Sequence, residues 1–136
     1  MKRFSIGKAQ TEKKELSKFQ GVWSRTFGEV DMVTVPNFVF VDSVMMIRDN
    51  RATITEGGQA FEMEIVRLDT STNPKHIDIK SLGGSEKDSI SFGIYELEGD
   101  TLRICHSLKR QAMRPIKFEI PKGSGLVQSL WKRVKK

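Results

Sequence analysis

Residues 92–105, FGIYELEGDTLRIC, predict two strands joined by a tight turn. Both halves are rich in the apolar, β-branched and aromatic residues that suit a pleated, half-buried surface. Between them, Glu98-Gly99-Asp100 is a turn signal, because glycine readily adopts the positive φ that other residues resist. The stretch therefore predicts a β-hairpin in an antiparallel β protein.

Short apolar runs at hairpin spacing continue on both sides of this hairpin. Thr11 is a suitable N-cap for a short helix over residues 12–19, and no longer helical periodicity follows. The pattern predicts an all-β fold, an up-and-down antiparallel β-barrel of about eight strands with a short N-terminal helix. We expect a flexible lead-in over residues 1–11 and a single barrel domain over residues 12–136. Further strands are predicted at residues 20–27, 43–48, 51–55, 60–68, 76–80, 113–120 and 126–134.

One segment, residues 29–41, fits two structures. Its valines lead into Pro36-Asn37, a turn signal, and an apolar run follows. Either a lid or a short edge strand at the mouth of the barrel would suit this pattern.

Alternation of apolar and polar residues along the predicted strands indicates which side chains form the core. In the strand over residues 60–68, for example, Phe61, Met63 and Ile65 alternate with glutamates. The predicted core consists of Leu16, Phe19, Trp23, Val44, Met46, Ile54, Phe61, Met63, Ile65, Ile77, Ile79, Ile94, Leu102, Ile104, Ile116, Phe118, Ile120 and Leu130.

Composition and charge place further bounds on the protein. With 136 residues, 38% of them hydrophobic, the chain can bury a core without disulfides, and its single cysteine excludes an internal one. Neither a signal peptide nor an apolar stretch of about 20 residues is present, so we expect a cytoplasmic protein without membrane contact. The net charge of +6 arises from basic ends, residues 1–18 and 108–136, around a mildly acidic body.

Two sets of residues resemble a known family. A short helix followed by Gly21-x-Trp23 is similar to the opening of lipocalins and other calycins, in which the tryptophan closes one end of the barrel. A basic residue of the last strand packs across that ring in such folds, which here implies Arg133 over Trp23. Physically, this contact would be a cation–π interaction.

The second set extends through the chain and resembles an uncharacterised lipocalin-like (calycin-type) domain family that is expanded in Planctomycetes. The resemblance covers residues 16–134 and is weakest over residues 29–41. It implies a calycin-type barrel without an established activity. The matched residues therefore imply structural roles in the barrel rather than a function. The residues that carry this structural signature are Gly21, Trp23, Gly93, Tyr95, Gly99, Asp100, Arg114, Pro115 and Arg133.

Candidate catalytic and metal-binding residues are few. Cys105 and His106 are adjacent, but neighbouring strand residues point to opposite faces and cannot form a nucleophile–base pair. A metal site from His76, His106 and Asp78 is conceivable, but solvated histidines explain the pattern more simply. We therefore predict no catalytic residues, no metal and no cofactor, and a protein that is not an enzyme.

The register of residues 101–105 decides where Arg103 points. If Leu102 and Ile104 face inward, Arg103 faces solvent; in the opposite register Arg103 lies in the lumen and needs an acidic partner. The first register buries the larger apolar pair and is favoured. The residues that we consider as lumen candidates are Phe61, Met63, Arg103 and Phe118.

Three functions fit these observations. The first is a non-catalytic protein-interaction or regulatory module, whose partner is another protein. The alternative is a carrier of a small hydrophobic ligand in the lumen, and a third, weaker hypothesis is nucleic-acid binding through the basic C-terminal third. The predicted partner surface consists of Val33, Val35, Phe38, Phe40, Lys109 and Arg110.

Overall fold

The computed structural model describes residues 11–30, 33–35, 43–84, 87–107, 113–121 and 123–134. All but one residue of the predicted lead-in, residues 1–11, therefore lie outside the described part. A short helix, α1 (residues 11–17), precedes the strands. The strands are β1 Gly21–Val30, β2 Val33–Val35, β3 Val44–Arg48, β4 Arg51–Glu56, β5 Gln59–Asp69, β6 Lys75–Ser81, β7 Ile90–Glu98, β8 Thr101–Ser107 and β9 Leu126–Arg133.

The strands form one closed antiparallel barrel. Strands β1 and β3–β9 follow one another around it in chain order, and pairing of β1 with β9 closes the ring. The short strand β2 pairs only with the far end of β1, where Val30 lies opposite Val33. The predicted eight-stranded up-and-down barrel with a short N-terminal helix is confirmed.

The predicted hairpin over residues 92–105 is formed by β7 and β8. Leu97 lies opposite Leu102, and Gly99 in the connecting turn has φ of 57°, a conformation that glycine adopts without a steric penalty. This register turns Leu102 and Ile104 into the barrel and Arg103 outward, as expected from the burial of the larger apolar pair.

One end of the barrel is closed by large side chains, and we call it the floor: Phe19, Trp23, Tyr95 and Leu102. All four side chains are fully buried. The Trp23 indole N–H donates to the carbonyl oxygen of Phe19 at 2.8 Å, and the Phe19 and Tyr95 rings meet edge to face at 5.1 Å. The indole N–H of Trp23 therefore has a hydrogen-bond partner although the side chain is fully buried.

Arg133 covers the floor from outside. Its guanidinium lies 4.2 Å from the centre of the Trp23 ring, so the contact expected from the sequence is present. The same group forms an ion pair with Asp100 at 2.9 Å and donates to the carbonyl oxygens of Lys18 and Gln20. Gly21, at φ of 125°, leaves the space: a Cβ atom there would lie 3.1 Å from Arg133 Nη1. One arginine thus joins β9, the β7–β8 turn and the end of α1.

A buried carboxylate attaches α1 to the same end. Glu15 accepts a hydrogen bond from the Tyr95 hydroxyl at 2.6 Å and pairs with Lys18 and Lys75, each at 3.3 Å. Burial alone would raise the pKa of Glu15, but the Tyr95 hydrogen bond and the two ammonium groups together hold it below its ordinary value. Burial and the hydrogen bond to Glu15 both raise the pKa of Tyr95.

The register of β3 corrects the predicted core. Met45 and Ile47 face inward and are buried, whereas Val44 is 36% and Met46 52% exposed. All four residues are apolar, so alternation alone could not choose between the two faces. The pairing of β3 with β1 determines which face is buried. Met45 lies opposite Trp23, and residues directly opposite in an antiparallel pair point to the same face of the sheet.

Residues 113–121, which we call the outer strap, were predicted as a strand but contain none. The outer strap lies across the outside of the barrel, where Ile120 and Phe118 pack on Ile94 and Cys105. Arg114 holds it in place through an ion pair with Asp78 at 2.7 Å and a hydrogen bond to the carbonyl oxygen of Gly93 at 2.8 Å. Pro115 is buried beside it.

The outer strap also overturns two predictions, that Phe118 lines the lumen and that Ile116 belongs to the core. Phe118 lies outside the barrel, and the guanidinium of Arg103 lies 4.9 Å from the centre of its ring, so neither residue lines the lumen. Ile116, predicted as core, is 80% exposed. Of the alternating apolar residues that predicted a strand here, Phe118 and Ile120 pack on the barrel wall, and bends over residues 116–118 interrupt the segment.

Candidate ligand site in the barrel lumen

Beyond the floor, the lumen widens into a cavity of about 320 Å³, which we call the inner chamber. Its wall is mostly aliphatic because the inward residues of β3–β6 are isoleucine, methionine and alanine, in contrast to the aromatic floor. Strands β1, β3–β6, β8 and β9 contribute. The lining residues are Phe19, Arg25, Met45, Ile47, Ala52, Ile54, Met63, Ile65, Ile77, Ile79, Ile104, His106, Val127, Ser129 and Trp131.

A second cavity of about 580 Å³, the vestibule, adjoins the inner chamber at the other end of β5–β8. Met63, Ile79 and His106 line both cavities, so these three side chains mark the boundary between them, which we call the passage. The vestibule is more polar than the inner chamber. Its wall includes four serines, Ser81, Ser89, Ser91 and Ser107.

Arg25 is the cation of the inner chamber. It follows Trp23 by two residues on β1, so the alternation that turns the indole inward turns Arg25 inward as well. Its guanidinium pairs with Glu56 at 2.7 Å and lies 4.5 Å from the centre of the Trp131 ring. Burial lowers the pKa of Arg25, and the carboxylate of Glu56 opposes that shift. The arginine is therefore held against the wall by a carboxylate and an indole.

His106 stands at the passage with one ring nitrogen engaged. Ser91 Oγ donates to the carbonyl oxygen of Ser107 at 2.7 Å, so toward His106 Nδ1, 3.0 Å away, it is an acceptor. Nδ1 also lies 3.3 Å from that carbonyl oxygen, which can only accept. Both contacts place the hydrogen on Nδ1. Burial and the charge of Arg25 lower the pKa of His106, despite the backbone contact to Ser107, so the neutral ring is favoured.

The four lumen candidates from the sequence have different positions. Met63 lines the inner chamber, and Phe61 lies farther out on the same strand, in the wall of the vestibule, with 47% of its surface exposed. Arg103 and Phe118 lie outside, as described above. Sequence reasoning missed Arg25 and His106, although each follows an inward residue by two positions, Trp23 and Ile104 respectively.

Cys105 lies on the outer face, opposite in direction to His106, as the alternation of strand residues predicted. Burial under the outer strap raises the pKa of the Cys105 thiol to about 11, with a further contribution from Glu29. A thiol with this pKa stays protonated at neutral pH and is a poor nucleophile. Among the described residues, no group of three or more His, Cys, Asp or Glu side chains could hold a metal ion.

The predicted partner surface falls largely outside the described residues. Phe38, Phe40, Lys109 and Arg110 belong to the undescribed part, whereas Val33 and Val35 form the two ends of β2. The protein-interaction hypothesis therefore stays a prediction.

Several cations of the basic C-terminal third have acidic partners. Arg114 pairs with Asp78, Lys117 with Glu119 at 3.2 Å, and Arg133 with Asp100. Cations that are paired within the protein have less charge to offer a phosphate backbone. This pairing argues against nucleic-acid binding by this part of the surface. No helix within the described ranges has the length and apolar character needed to cross a membrane.

Comparisons with protein-family models, with curated proteins and with solved structures found no match to this chain.

Proposed function

We propose that this barrel binds a small, mainly apolar molecule in its lumen. The inner chamber carries the proposal: a cavity of about 320 Å³ lies inside a closed barrel and is lined almost entirely by aliphatic and aromatic side chains. This volume falls within the range of about 300–1,000 Å³ that is typical of ligand pockets. At the roughly 30 Å³ that a water molecule occupies in the liquid, it suits a group of about ten non-hydrogen atoms.

The contrast between the two halves of the lumen supports a binding role. The large rings of Phe19, Trp23 and Tyr95 are fully buried in the floor, so the chain has residues suited to filling a barrel of this size. At the inner chamber, β4 and β9 instead carry Ala52 and Ser129, whose small side chains leave space in the lumen. Because unfilled apolar volume lowers stability, a binding role accounts for the chamber better than stability does.

A blocking variant tests the proposal. Ala52→Phe places a benzene ring in the inner chamber, whereas the control Thr53→Phe adds the same ring on the opposite face of β4, opposite Glu62. We expect equilibrium dialysis to show saturable binding of naphthalene, which has ten carbon atoms, by the wild type and by Thr53→Phe. Ala52→Phe should bind at least tenfold more weakly, because its ring occupies the same space.

Thermal unfolding of both variants shows whether they remain folded. Equal binding by Ala52→Phe and Thr53→Phe would place the naphthalene on the surface and contradict the proposal. Absence of saturable binding by the wild type would contradict it as well.

We also propose that the chain belongs to the calycin-type family and that the protein is cytoplasmic. A calycin-type barrel is consistent with lumen binding, and the contact of Arg133 with Trp23 is the feature of this structure that supports the assignment.

A further inference from the structure

The next inference rests on the proposed function and concerns the chemical class of the ligand. We propose that the polar end of the ligand is a hydrogen-bond donor, such as an alcohol, a phenol or an amide N–H, and that His106 accepts its hydrogen at the passage between the inner chamber and the vestibule.

The hydrogen-bond pattern around His106 supports the direction of this bond. Ser91 Oγ and the Ser107 carbonyl oxygen both accept from Nδ1, at 3.0 and 3.3 Å, so the neutral ring carries its hydrogen there. Nε2 is then left with a lone pair and can only accept. Within the described part of the chain, no hydrogen-bond partner of Nε2 is found. A ligand that fills the inner chamber and reaches the passage meets an acceptor.

The position of His106 supports an anchoring role. Its ring lines both cavities, with Met63 and Ile79 across the passage, so it is the polar side chain of the three that mark the boundary. An apolar body in the inner chamber would present its polar end at this level. Beyond it, the serines of the vestibule can solvate whatever part of the ligand extends outward.

Arg25 suggests the competing hypothesis, a carboxylate ligand. The guanidinium already pairs with Glu56 at 2.7 Å, and Glu56 also accepts from Ser43 Oγ at 3.1 Å. The protein thus supplies the anion that this cation needs, and a bound carboxylate would have to displace or repel Glu56. A neutral donor at His106 requires no such rearrangement, which favours it over the acid.

Naphthalene and three derivatives of similar shape separate these hypotheses: 2-naphthol, 2-methoxynaphthalene and 2-naphthoate. The naphthol can donate a hydrogen bond, the methoxy compound can only accept, and the naphthoate is an anion. We expect the wild type to bind 2-naphthol about tenfold more tightly than 2-methoxynaphthalene, the effect of one hydrogen bond in a site shielded from water. Isothermal titration or equilibrium dialysis measures the dissociation constants.

Two variants assign the preference to His106. His106→Phe keeps an aromatic ring at the passage without an acceptor, so 2-naphthol and 2-methoxynaphthalene should bind within about twofold of each other, with the affinity of the same variant for naphthalene as the reference. Ser91→Ala removes one of the two groups that hold the hydrogen on Nδ1. Ser91 is a positioning residue, so this variant should lose part of the preference for 2-naphthol over 2-methoxynaphthalene, whereas a purely structural role of Ser91 would change the affinity for both alike.

The outcomes distinguish this inference from the function on which it rests. If naphthalene binds in the lumen but 2-naphthol has no advantage over 2-methoxynaphthalene, the donor hypothesis is wrong and the binding role stands. If 2-naphthoate binds most tightly, Arg25 anchors an acid and the inference is overturned. If no derivative binds, the proposed function and the inference fail together.

Discussion

The floor and the inner chamber are parts of one lumen and share strands β1 and β8, but they are packed differently. In the floor, Trp23 and Tyr95 are fully buried, and their polar atoms bond to Phe19 and Glu15. In the inner chamber, Arg25 and His106 stand among aliphatic residues beside about 320 Å³ of space. The comparison indicates that the floor stabilises the barrel and the inner chamber provides a binding site. Four predictions test this division, from the largest expected effect to the smallest.

The first prediction concerns Trp23. Trp23→Ala should lower the free energy of unfolding by about 3–5 kcal/mol, because it leaves a large cavity and removes the ring beneath Arg133. Ile54→Ala, in the wall of the inner chamber, should cost less than about 2 kcal/mol, because Ile54 is only partly buried and already borders open space. Urea unfolding followed by far-ultraviolet circular dichroism measures both.

Should Trp23→Ala fail to fold, Trp23→Phe keeps a ring and removes the N–H that donates to Phe19; we then expect a loss of about 1–3 kcal/mol. Equal losses for the floor and chamber variants would contradict the division between the two regions.

The second prediction concerns the geometry of Arg133. Arg133→Lys keeps the charge but cannot reproduce the planar group that stacks on Trp23 and bonds to Asp100 and to the end of α1. We expect it to cost about 2 kcal/mol of unfolding free energy. Lys132→Ala, at the exposed neighbouring position, is the control and should change stability by no more than about 0.5 kcal/mol. If Arg133→Lys leaves the free energy of unfolding unchanged, a positive charge at this position is sufficient and the planar group is not required.

The third prediction concerns acid stability at the floor. Because the pKa of Glu15 is lowered on folding, the stability that its ionised form provides is present above about pH 4.5 and is lost as the pH falls below that value. Glu15→Gln should flatten this part of the plot of unfolding free energy against pH. Glu12→Gln, a less buried position on the same helix, serves as the control. An unchanged pH dependence in Glu15→Gln would contradict the assigned role of the carboxylate.

The fourth and smallest effect concerns His106. Its lowered pKa means that, below about pH 6.5, the unfolded chain takes up a proton that the folded protein does not, so stability falls as the pH decreases. One such group contributes at most about 1.4 kcal/mol per pH unit. His106→Phe should reduce this slope between pH 6.5 and 5.

His76 also has a lowered pKa, from burial and from the charge of Arg114, so His76→Phe serves as the comparison for His106→Phe. A slope that survives in His106→Phe and disappears in His76→Phe would place the titration on the surface rather than in the lumen.

Local patterns predicted most of the fold. The hairpin of β7 and β8 was predictable because alternation, residue type and a glycine turn all agree, and the inward direction of Leu102 followed from apolar size. The predicted core was wrong where consecutive residues are all apolar, because alternation then does not distinguish the two faces of the strand. Along β3, Val44, Met45, Met46 and Ile47 are all apolar, so only the pairing with β1 determines which of them are buried.

The candidate site was harder to predict, because it is a cavity and no sequence motif marks the residues that line it. Met63 was predicted to line the lumen and does so, but Phe118 packs outside because the outer strap crosses the barrel wall instead of joining it. Arg25 and His106 gave a usable signal, because each follows an inward residue by two positions. Charged and polar side chains are usually exposed to solvent, so residue type favours the opposite position for both of them.

The sequence by itself determined the all-β barrel and its principal hairpin, because alternation and turn residues are local features, whereas the contact of Arg133 with Trp23 was expected only from the resemblance to calycins. Only the tertiary structure decided the register of β3, the position of the outer strap and the existence of the inner chamber. Each of these depends on how distant strands and segments pack together. Whether a lumen is filled or open depends on the summed volumes of side chains from strands all around it, which no single stretch of sequence encodes.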